Sequence, residues 1–549
     1  PPTVPAETPT PTEPPGTPTP IPDPVIVDIN LGLPPAQLDP ARVAPRDATG
    51  SDLVENLFIG LTRLNPDTGT VEPWLAREWQ VDGAVWQVFL RDDVHWVRAS
   101  AESGQVEQVR PVAANDVVAA VARACRSPLQ SPGRVAVFHV SGCEQIYTQG
   151  PEAAQLGVRA LNDTVVEFTL REPGGYFPNL LAMPVFRPVP ADLIEEAGDA
   201  WTDPGQILTS GPYTLQPTIP AEEGYTLVAN PFWPFGAQGN AAVVQIGFAG
   251  DGFGAWQRGE IAMSTLPESE LPAVYDQPAY RMLGQPGVGM LHVSHEIFPF
   301  GKPGVRQAFA LASNRAALVD RLLQADAFAA LPAGTILPPG TTDAPANGGL
   351  SYDPDAARAA LAEAGHPGCA GIPQTRLLIV QGQEPLRVLA DALVEQWLAE
   401  LNCTPGQLTV EEADFVDVQT LMRDPTDRQF EPDRPALIAL LWEGDTIDAT
   451  HYLTDIAACR GLFPNAYLNT TRECSPVDER LQALLTIQYS ADRADEVAAV
   501  VAGYFGPQGE MPVIPLFFYG RALAVAEGVT IVPQAAGPLQ FDRWIVPED

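Results

Sequence analysis

The most constraining feature of the sequence is an unbroken apolar run, Ala436–Trp442, which stops abruptly at Glu443, Gly444 and Asp445. The run is long enough for a strand covered on both faces and too short to cross a membrane. In open α/β sheets, ligands bind beyond the carboxyl ends of strands. An aromatic residue, a glycine and a carboxylate at such an end indicate a ligand crevice, although an ordinary exit into a solvated loop has the same pattern.

The segments around this run alternate between patterns typical of strands and patterns typical of helices. Alternating or apolar runs predict strands at Val25–Ile29, Val85–Arg91, Asp163–Arg171, Tyr225–Ala229 and Arg376–Val380. Helical spacing predicts helices at Asp52–Leu61, Asn115–Ala124 (with Asn115 as N-cap), Gly304–Leu323, Tyr352–Ala364, Leu386–Leu401, Val477–Thr486 and Ala491–Tyr504. Strands that alternate with helices predict an α/β fold.

Length and charge limit the classes of protein to which the chain can belong. Its 549 residues predict roughly three or four domain-sized units, and 45% hydrophobic residues are enough for sizeable cores. The formal net charge of −37 repels nucleic acid and anionic lipid, which argues against both as partners. No apolar stretch approaches the roughly 18 residues that a membrane-spanning helix needs.

The six cysteines fall in three sequence-adjacent couples, namely Cys125 with Cys143, Cys369 with Cys403, and Cys459 with Cys474. Six cysteines allow fifteen pairings, and pairing of neighbours is the simplest because short loops close easily. No C-x-x-C motif indicates a zinc site or a redox dithiol. We therefore expect disulfides, and hence an exported protein, rather than six unrelated buried thiols.

Residues 1–24 are a low-complexity segment of proline, threonine and glutamate. Such a composition cannot bury a core, so it predicts a disordered, extended, polyproline-like tether. Because spacers of this kind commonly lift exported domains off a membrane anchor, we expect the protein to be tethered outside the cytoplasm. The cysteine that would carry the lipid of such an anchor is not in this sequence.

Motifs for catalysis or cofactor binding are absent or weak. His292 and His295 would point to opposite faces of a strand, which is poor geometry for joint binding of a metal ion. The sequence has neither a Walker A loop nor a G-x-S-x-G nucleophile elbow. Asp445 and Asp448 could act as general acid and base, but carboxylates in loops are common and nothing else supports catalysis. The residues therefore give no motif-level case for an enzyme, and we expect neither catalysis nor a cofactor.

Six segments, in order along the chain, resemble motifs of one known family. They are Asn65–Trp96, Ala114–Arg123, Thr209–Tyr213, Asn230-Pro231, Gly304–Ala312 and Tyr352–Gly365. The first contains the pattern P-x-L-A-x-x-W, and the fifth contains V-R-Q-A. On these segments the chain resembles the large extracytoplasmic solute-binding proteins of ABC importers, family 5, which take up peptides, nickel and some sugars.

The resemblance implies an α/β, periplasmic-binding-protein-like fold of two lobes joined by two crossings, with the ligand cleft between them. Lobe I would be discontinuous and would consist of residues 25–50, 174–286 and 515–549. An inserted subdomain would span residues 51–173, and lobe II would span residues 287–514. The lobes would close on the ligand like a hinged clam.

The same resemblance implies a ligand and a partner. In peptide-binding members, a W-x-[AG]-D sequence at the lobe interface supplies a carboxylate that pairs with the α-ammonium group of the peptide, and Trp442–Asp445 fits that pattern. Asp445 would anchor the peptide, and Trp442, Gly444 and Asp448 would be further ligand-binding residues. The protein would deliver a short peptide, or another small solute, to an ABC transporter permease.

Two alternatives stay open. The Pro/Thr-rich segment and an insertion around Arg98–Arg110 also fit a surface or structural assembly protein that keeps the scaffold but no longer transports. In addition, Pro34-Pro35 and Ala439 stand where oligopeptide binders often have Glu and Arg. Regular oligomers without ligand-induced compaction would favour this alternative. An oligosaccharide ligand is the other, because the chain has 10 tryptophans and sugars stack on indole rings.

Overall fold

The computed structural model describes residues 24–547 with internal gaps. The gaps are residues 45–46, 66–69, 101, 218–223, 237, 249, 326–328, 347, 424–433, 445, 447, 464–465, 469–471 and 534–536. Asp445 and residues 1–23 of the predicted tether therefore lie outside the described residues. In the part of the chain that is described, no helix has both the length and the apolar character needed to cross a membrane.

The described residues form a mixed α/β protein. Its strands are β1 (Val25–Asn30), β2 (Thr62–Leu64), β3 (Val71–Pro73), β4 (Ala76–Asp82), β5 (Val85–Leu90), β6 (His95–Ala99), β7 (Val106–Pro111), β8 (Val158–Asn162), β9 (Val165–Thr169), β10 (Tyr213–Gln216), β11 (Gly224–Ala229), β12 (Ala241–Gly247), β13 (Met263–Thr265), β14 (Tyr280–Val293), β15 (Ala329–Pro332), β16 (Thr375–Val380), β17 (Leu408–Ala413), β18 (Leu437–Glu443) and β19 (Val513–Val525). Its longer helices are α1 (Ala48–Leu57), α2 (Ala114–Ala124), α3 (Pro303–Leu311), α4 (Arg315–Gln324), α5 (Pro354–Glu363), α6 (Glu384–Glu400), α7 (Phe415–Arg423), α8 (Pro476–Leu484) and α9 (Ala491–Phe505).

Three details of the predicted helices are wrong. The helix predicted over Asp52–Leu61 is α1, which begins at Ala48, because Asp47 is its N-cap, and ends at Leu57. The helix predicted over Gly304–Leu323 is two helices, α3 and α4, because the side chain of Asn314 accepts a hydrogen bond from the N–H of Ala317 at 3.1 Å and so starts a new helix. Asn115 is not the N-cap of α2. That position belongs to Ala113, whose N–H donates to the carboxylate of Asp116 at 2.9 Å.

Eleven of the described strands form one sheet, in the order β10-β11-β12-β1-β13-β19-β14-β18-β16-β17, with β15 beside β19. Strands β14 and β19 are 14 and 13 residues long and pair with each other in antiparallel fashion. At one end of this pair β19 contacts β13, and at the other end β14 contacts β18. The two long strands therefore connect the two halves of the sheet.

The described residues contain two large hydrophobic cores, one on each half of the sheet. The first core takes its residues from 27–283 and 523–544, and the second takes its residues from 288–519. The change from one core to the other occurs within β14 and β19. We call the parts of the chain around these cores the first and second lobes. The predicted two-lobed α/β fold is confirmed, while the separate subdomain at residues 51–173 stays a prediction.

Three disulfides join Cys125 to Cys143, Cys369 to Cys403, and Cys459 to Cys474, across sequence separations of 18, 34 and 15 residues. Pairing of sequence neighbours is thereby confirmed. The first disulfide lies in the first lobe, and the other two lie in the second. Each closes a short loop, which restricts the unfolded chain more than the folded one.

Candidate functional site

The apolar run that dominates the sequence forms β18, an interior strand between β14 and β16. It ends one residue before Gly444, and the chain soon enters a short helix, Ala449–Tyr452. The half-buried ring of Trp442 lies 5.1 Å from the ring of Tyr452 and 5.7 Å from the ring of His451, measured between centroids. A Cβ atom at Gly444 would lie 2.9 Å from the Tyr452 ring, so a larger residue requires the ring to shift.

A cavity lies between the lobes, beyond this end of β18. It holds about 1410 Å³ of empty space, including solvent at its mouth. The second lobe lines it with Pro338, Thr341, Gly444, Thr446 and Tyr452. The first lobe lines it with residues of α1, of the segment 179–187 and of the chain around Gln540. The strand end therefore opens into a cleft, as its sequence pattern predicts.

The first-lobe wall of the cavity carries a carboxylate that is paired within the protein. Asp52 is fully buried in α1, and Arg521 on β19 donates to both of its oxygens at 2.6 and 2.8 Å. The N–H of Leu539 donates to the same carboxylate at 2.7 Å. Burial raises the pKa of Asp52 above its ordinary value, and the charge and hydrogen bonds of Arg521 oppose that rise.

Further charges on this wall also pair with one another. The guanidinium of Arg63 donates to Glu55 at 3.2 Å and to Asp542 at 3.1 Å, and Arg187 donates to Glu55 as well. Arg63 and Arg187 lie over the ring of Trp74, at 4.5 and 5.5 Å from its centroid. Together with the pair of Asp52 and Arg521, three carboxylates balance three guanidinium groups here.

The predicted ligand residue Asp448 is buried, and protein groups bind its carboxylate. Arg493 donates to its two oxygens at 3.0 and 2.9 Å, and Tyr489 donates to one of them. The N–H of Thr450 donates at 2.8 Å, which makes Asp448 the N-cap of the short helix. Burial acts to raise the pKa of Asp448, but Arg493 and the hydrogen bonds outweigh it, so this pKa lies below its ordinary value.

Asp448 also links the two lobes. Asn179, in the first lobe, donates to Asp448 Oδ2 at 3.0 Å and to Thr342 Oγ1 at 3.3 Å. Close by in the sequence, the N–H of Gly175 donates to the carbonyl of Leu485 at 2.9 Å. Asn179 is 3% exposed, so its hydrogen bonds are shielded from water. Because Asn179 also lines the cavity, this contact joins the lobes at an edge of the cleft.

Replacement of Asn179 by alanine is expected to lower the free energy of unfolding by about 1–3 kcal/mol, because it removes hydrogen bonds that include one to a charged group. Urea unfolding measures this loss, and small-angle scattering is expected to show a larger radius of gyration as the lobes separate. The matched control is Asn115→Ala, at an exposed position of α2, with an expected change within about 0.5 kcal/mol. Equal effects of the two substitutions would contradict a special role for Asn179.

A second cavity, of about 1770 Å³ including its opening, lies between the lobes on the side of Asp448 that faces His139 and His451. The Tyr176 hydroxyl lies 2.9 Å from Nδ1 of His139. Burial, together with the charge of Arg171, lowers the pKa of His139 to about 4, so this imidazole is neutral near pH 7. Among the described residues, no group of three or more His, Cys, Asp or Glu side chains could hold a metal ion.

The structure places three of the four predicted ligand residues. Trp442 and Gly444 lie together at the end of β18 beside Tyr452, and Gly444 lines the first cavity. Asp448 lines the second cavity with its carboxylate bound by protein groups. Asp445 lies outside the described residues, so its contact with a ligand stays a prediction.

Sequence reasoning missed several residues that shape the cleft. Tyr452 lies within the same stretch as Trp442, and an aromatic residue on the helix after the strand was a usable signal. Asn179 and Arg493 gave no such signal, because each meets Asp448 across a long separation in the sequence.

Comparisons with known proteins agree with this architecture. A family model described as "Bacterial extracellular solute-binding proteins, family 5 Middle" matches residues 70–459. The periplasmic oligopeptide-binding protein OppA of Escherichia coli (strain K12) is 26% identical over 518 residues, which cover 90% of this chain and 87% of the relative. The probable deoxycholate-binding periplasmic protein YgiS of the same organism is 28% identical over 316 residues, covering 56% of this chain and 55% of the relative.

Solved structures show the same fold. The periplasmic murein tripeptide-binding protein MppA, in an unliganded open form, superposes with a TM-score of 0.79 at 20% identity, covering 95% of this chain and 97% of the other. Haemophilus influenzae OppA in complex with the peptide RPPGFSPFR superposes with a TM-score of 0.56 at 20% identity, covering 92% and 96%. The match of the family model spans most of the chain, and the family identified from the motifs is confirmed. The chain belongs to the bacterial extracellular solute-binding proteins of family 5.

Proposed function

We propose that this protein captures a short peptide in the cleft between its lobes and delivers it to an ABC transporter permease. The observation that carries the proposal is the cavity beyond β18, because Gly444 and Thr446, the sequence neighbours of Asp445, both line it. The names of relatives support a peptide as the solute, since OppA is an oligopeptide-binding protein and one OppA was solved with a peptide.

Asp445 is the group that we assign to the α-ammonium of the peptide. An ammonium removed from water needs a fixed counter-charge and hydrogen bonds. The carboxylates of the first-lobe wall are already paired with arginines, as is Asp448. Trp442 would shape the pocket by packing against Tyr452, whose ring lines it, and Gly444 leaves room for that ring. Asp448 would position the short helix and its lobe contact.

The place of action that we propose is outside the cytoplasm, which is consistent with an extracellular family and with three disulfides. Residues 1–24 would act as a spacer between a membrane anchor and the two lobes. A spacer of this composition keeps the cleft accessible to solutes while it holds the protein near the permease.

The most direct test is to denature the purified protein and to identify by mass spectrometry any small molecule that it releases. Release of short peptides is the expected result. Stoichiometric release of a bile acid, an oligosaccharide or another non-peptide solute would contradict the proposal, since the cleft would then hold a different chemical class.

The substitution Asp445→Asn is expected to weaken peptide binding by about 2–5 kcal/mol, because it removes the charge that balances the α-ammonium. Isothermal titration of the ligand-free protein with a peptide measures the change. The matched control is Asp276→Asn, an exposed carboxylate outside the cleft, which is expected to leave the affinity unchanged. An unchanged affinity in the Asp445→Asn variant would remove Asp445 from the site.

A further inference from the structure

The wall of the cavity beyond β18 is largely apolar. Among the residues that line it are Val43, Ala48, Met183, Val185, Leu283 and Pro338, which come from both lobes. Val43, Val185 and Leu283 belong to the buried core of the first lobe, so packing holds this part of the wall in place. Apolar side chains of a ligand gain free energy on contact with such a surface because water leaves both partners.

The charges that the structure describes on the same wall pair with one another. Asp52 pairs with Arg521, and Glu55 pairs with Arg63 and Arg187, all within the first lobe. Each of these carboxylates is buried, so it cannot turn toward a ligand without losing its partner. A charged side chain that packs against this wall therefore loses part of its hydration without gaining an unpaired counter-ion from the residues described there.

We infer that the cleft selects peptides with an apolar side chain near the amino terminus and disfavours those with a charged side chain there. This inference rests on the proposed peptide function, which assigns the α-ammonium to Asp445, whose sequence neighbours Gly444 and Thr446 line the cavity. The side chains nearest the amino terminus would then enter this cavity, whose wall is largely apolar. The formal net charge of −37 would by itself favour cationic peptides. For a lysine side chain, the apolar wall and the overall charge therefore predict opposite effects on affinity.

A panel of three tripeptides with free amino termini tests the inference, namely Ala-Leu-Ala, Ala-Lys-Ala and Ala-Glu-Ala, together with the corresponding pentapeptides extended by two alanines. Titration of the full ligand-free protein is expected to give an affinity for the leucine peptide at least about tenfold above that for either charged peptide. Equal affinities, or a preference for lysine or glutamate, would overturn the selectivity and leave peptide binding intact. Binding of none of the peptides would overturn the proposed function and the inference with it.

A substitution in the wall provides a second test. Ala48 is the first residue of α1 and lines the cavity, and a carboxylate is favourable in the first turn of a helix, so Ala48→Glu is compatible with folding. The new charge is expected to shift the ratio of lysine to leucine affinity by about tenfold in favour of lysine. The matched control is Ala191→Glu, at the first residue of the exposed helix Ala191–Ala197, which is expected to leave the ratio unchanged. Equal ratios in both variants and in the unsubstituted protein would overturn the inference.

Discussion

Replacement of Arg493 by alanine is expected to lower the free energy of unfolding by about 3–5 kcal/mol near neutral pH, because it leaves buried carboxylates without a counter-charge. Arg493 is 1% exposed and pairs with both Asp448 and Asp343. Its loss would remove the main support of the N-cap at Asp448 and, through it, of the lobe contact at Asn179. Chemical unfolding followed by circular dichroism measures the change.

The size of this loss is expected to depend on pH. In the unsubstituted protein the pKa of Asp448 lies below its ordinary value, so this carboxylate contributes stability above about pH 4, and the contribution is lost as the pH falls through the folded-state pKa. Without Arg493, burial would raise the same pKa above its ordinary value. Acidification would then protonate the buried carboxylate and relieve its cost. The difference in unfolding free energy between the two proteins is therefore expected to be smaller at about pH 4 than at about pH 7.

The control for this experiment is Arg480→Ala. Arg480 forms an ion pair with Glu496 in which both side chains are substantially exposed, so its loss is expected to cost at most about 1 kcal/mol. Similar costs for the two substitutions, or a difference that does not change with pH, would contradict the role assigned to the buried network of Arg493 and Asp448.

Removal of the disulfide between Cys459 and Cys474 by substitution of both residues with alanine is expected to lower the free energy of unfolding by about 3 kcal/mol. The bond closes a loop of 15 residues, and the unfolded chain without it gains conformational freedom. Urea unfolding under non-reducing conditions measures the loss. Each single substitution already breaks the bond. The double variant is therefore expected to lose less stability than the sum of the losses in the two single variants. An unchanged unfolding midpoint would contradict a stabilising role for this bond.

The parts of the fold that the sequence predicts correctly depend on local patterns. The apolar run Ala436–Trp442 forms β18 almost to the residue, because a short, continuous apolar run is typical of a strand that is covered on both faces. The disulfides follow sequence neighbours because short loops close easily. The helix predicted over Tyr352–Ala364 is α5, which begins at Pro354 after its N-cap Asp353.

Other features arise from contacts between distant parts of the chain. No pattern in the sequence brings Asn179 to Asp448, since 269 residues separate them and the contact exists only when the lobes meet. The break between α3 and α4 depends on Asn314, whose capping bond competes with the helical spacing on both sides. The apolar wall of the cleft is likewise assembled from segments of both lobes. The bounds of the predicted subdomain and the role of Asp445 stay predictions.

The pairing of β14 with β19 has a mechanical consequence. Both connections between the lobes are neighbouring strands of one ribbon, held together by backbone hydrogen bonds along most of their length. Sliding one half of the molecule past the other would shear those bonds, whereas bending or twisting the ribbon preserves them. Any opening and closing of the lobes is therefore expected to be a rotation about this ribbon, with its axis set by the backbone pairing of β14 with β19.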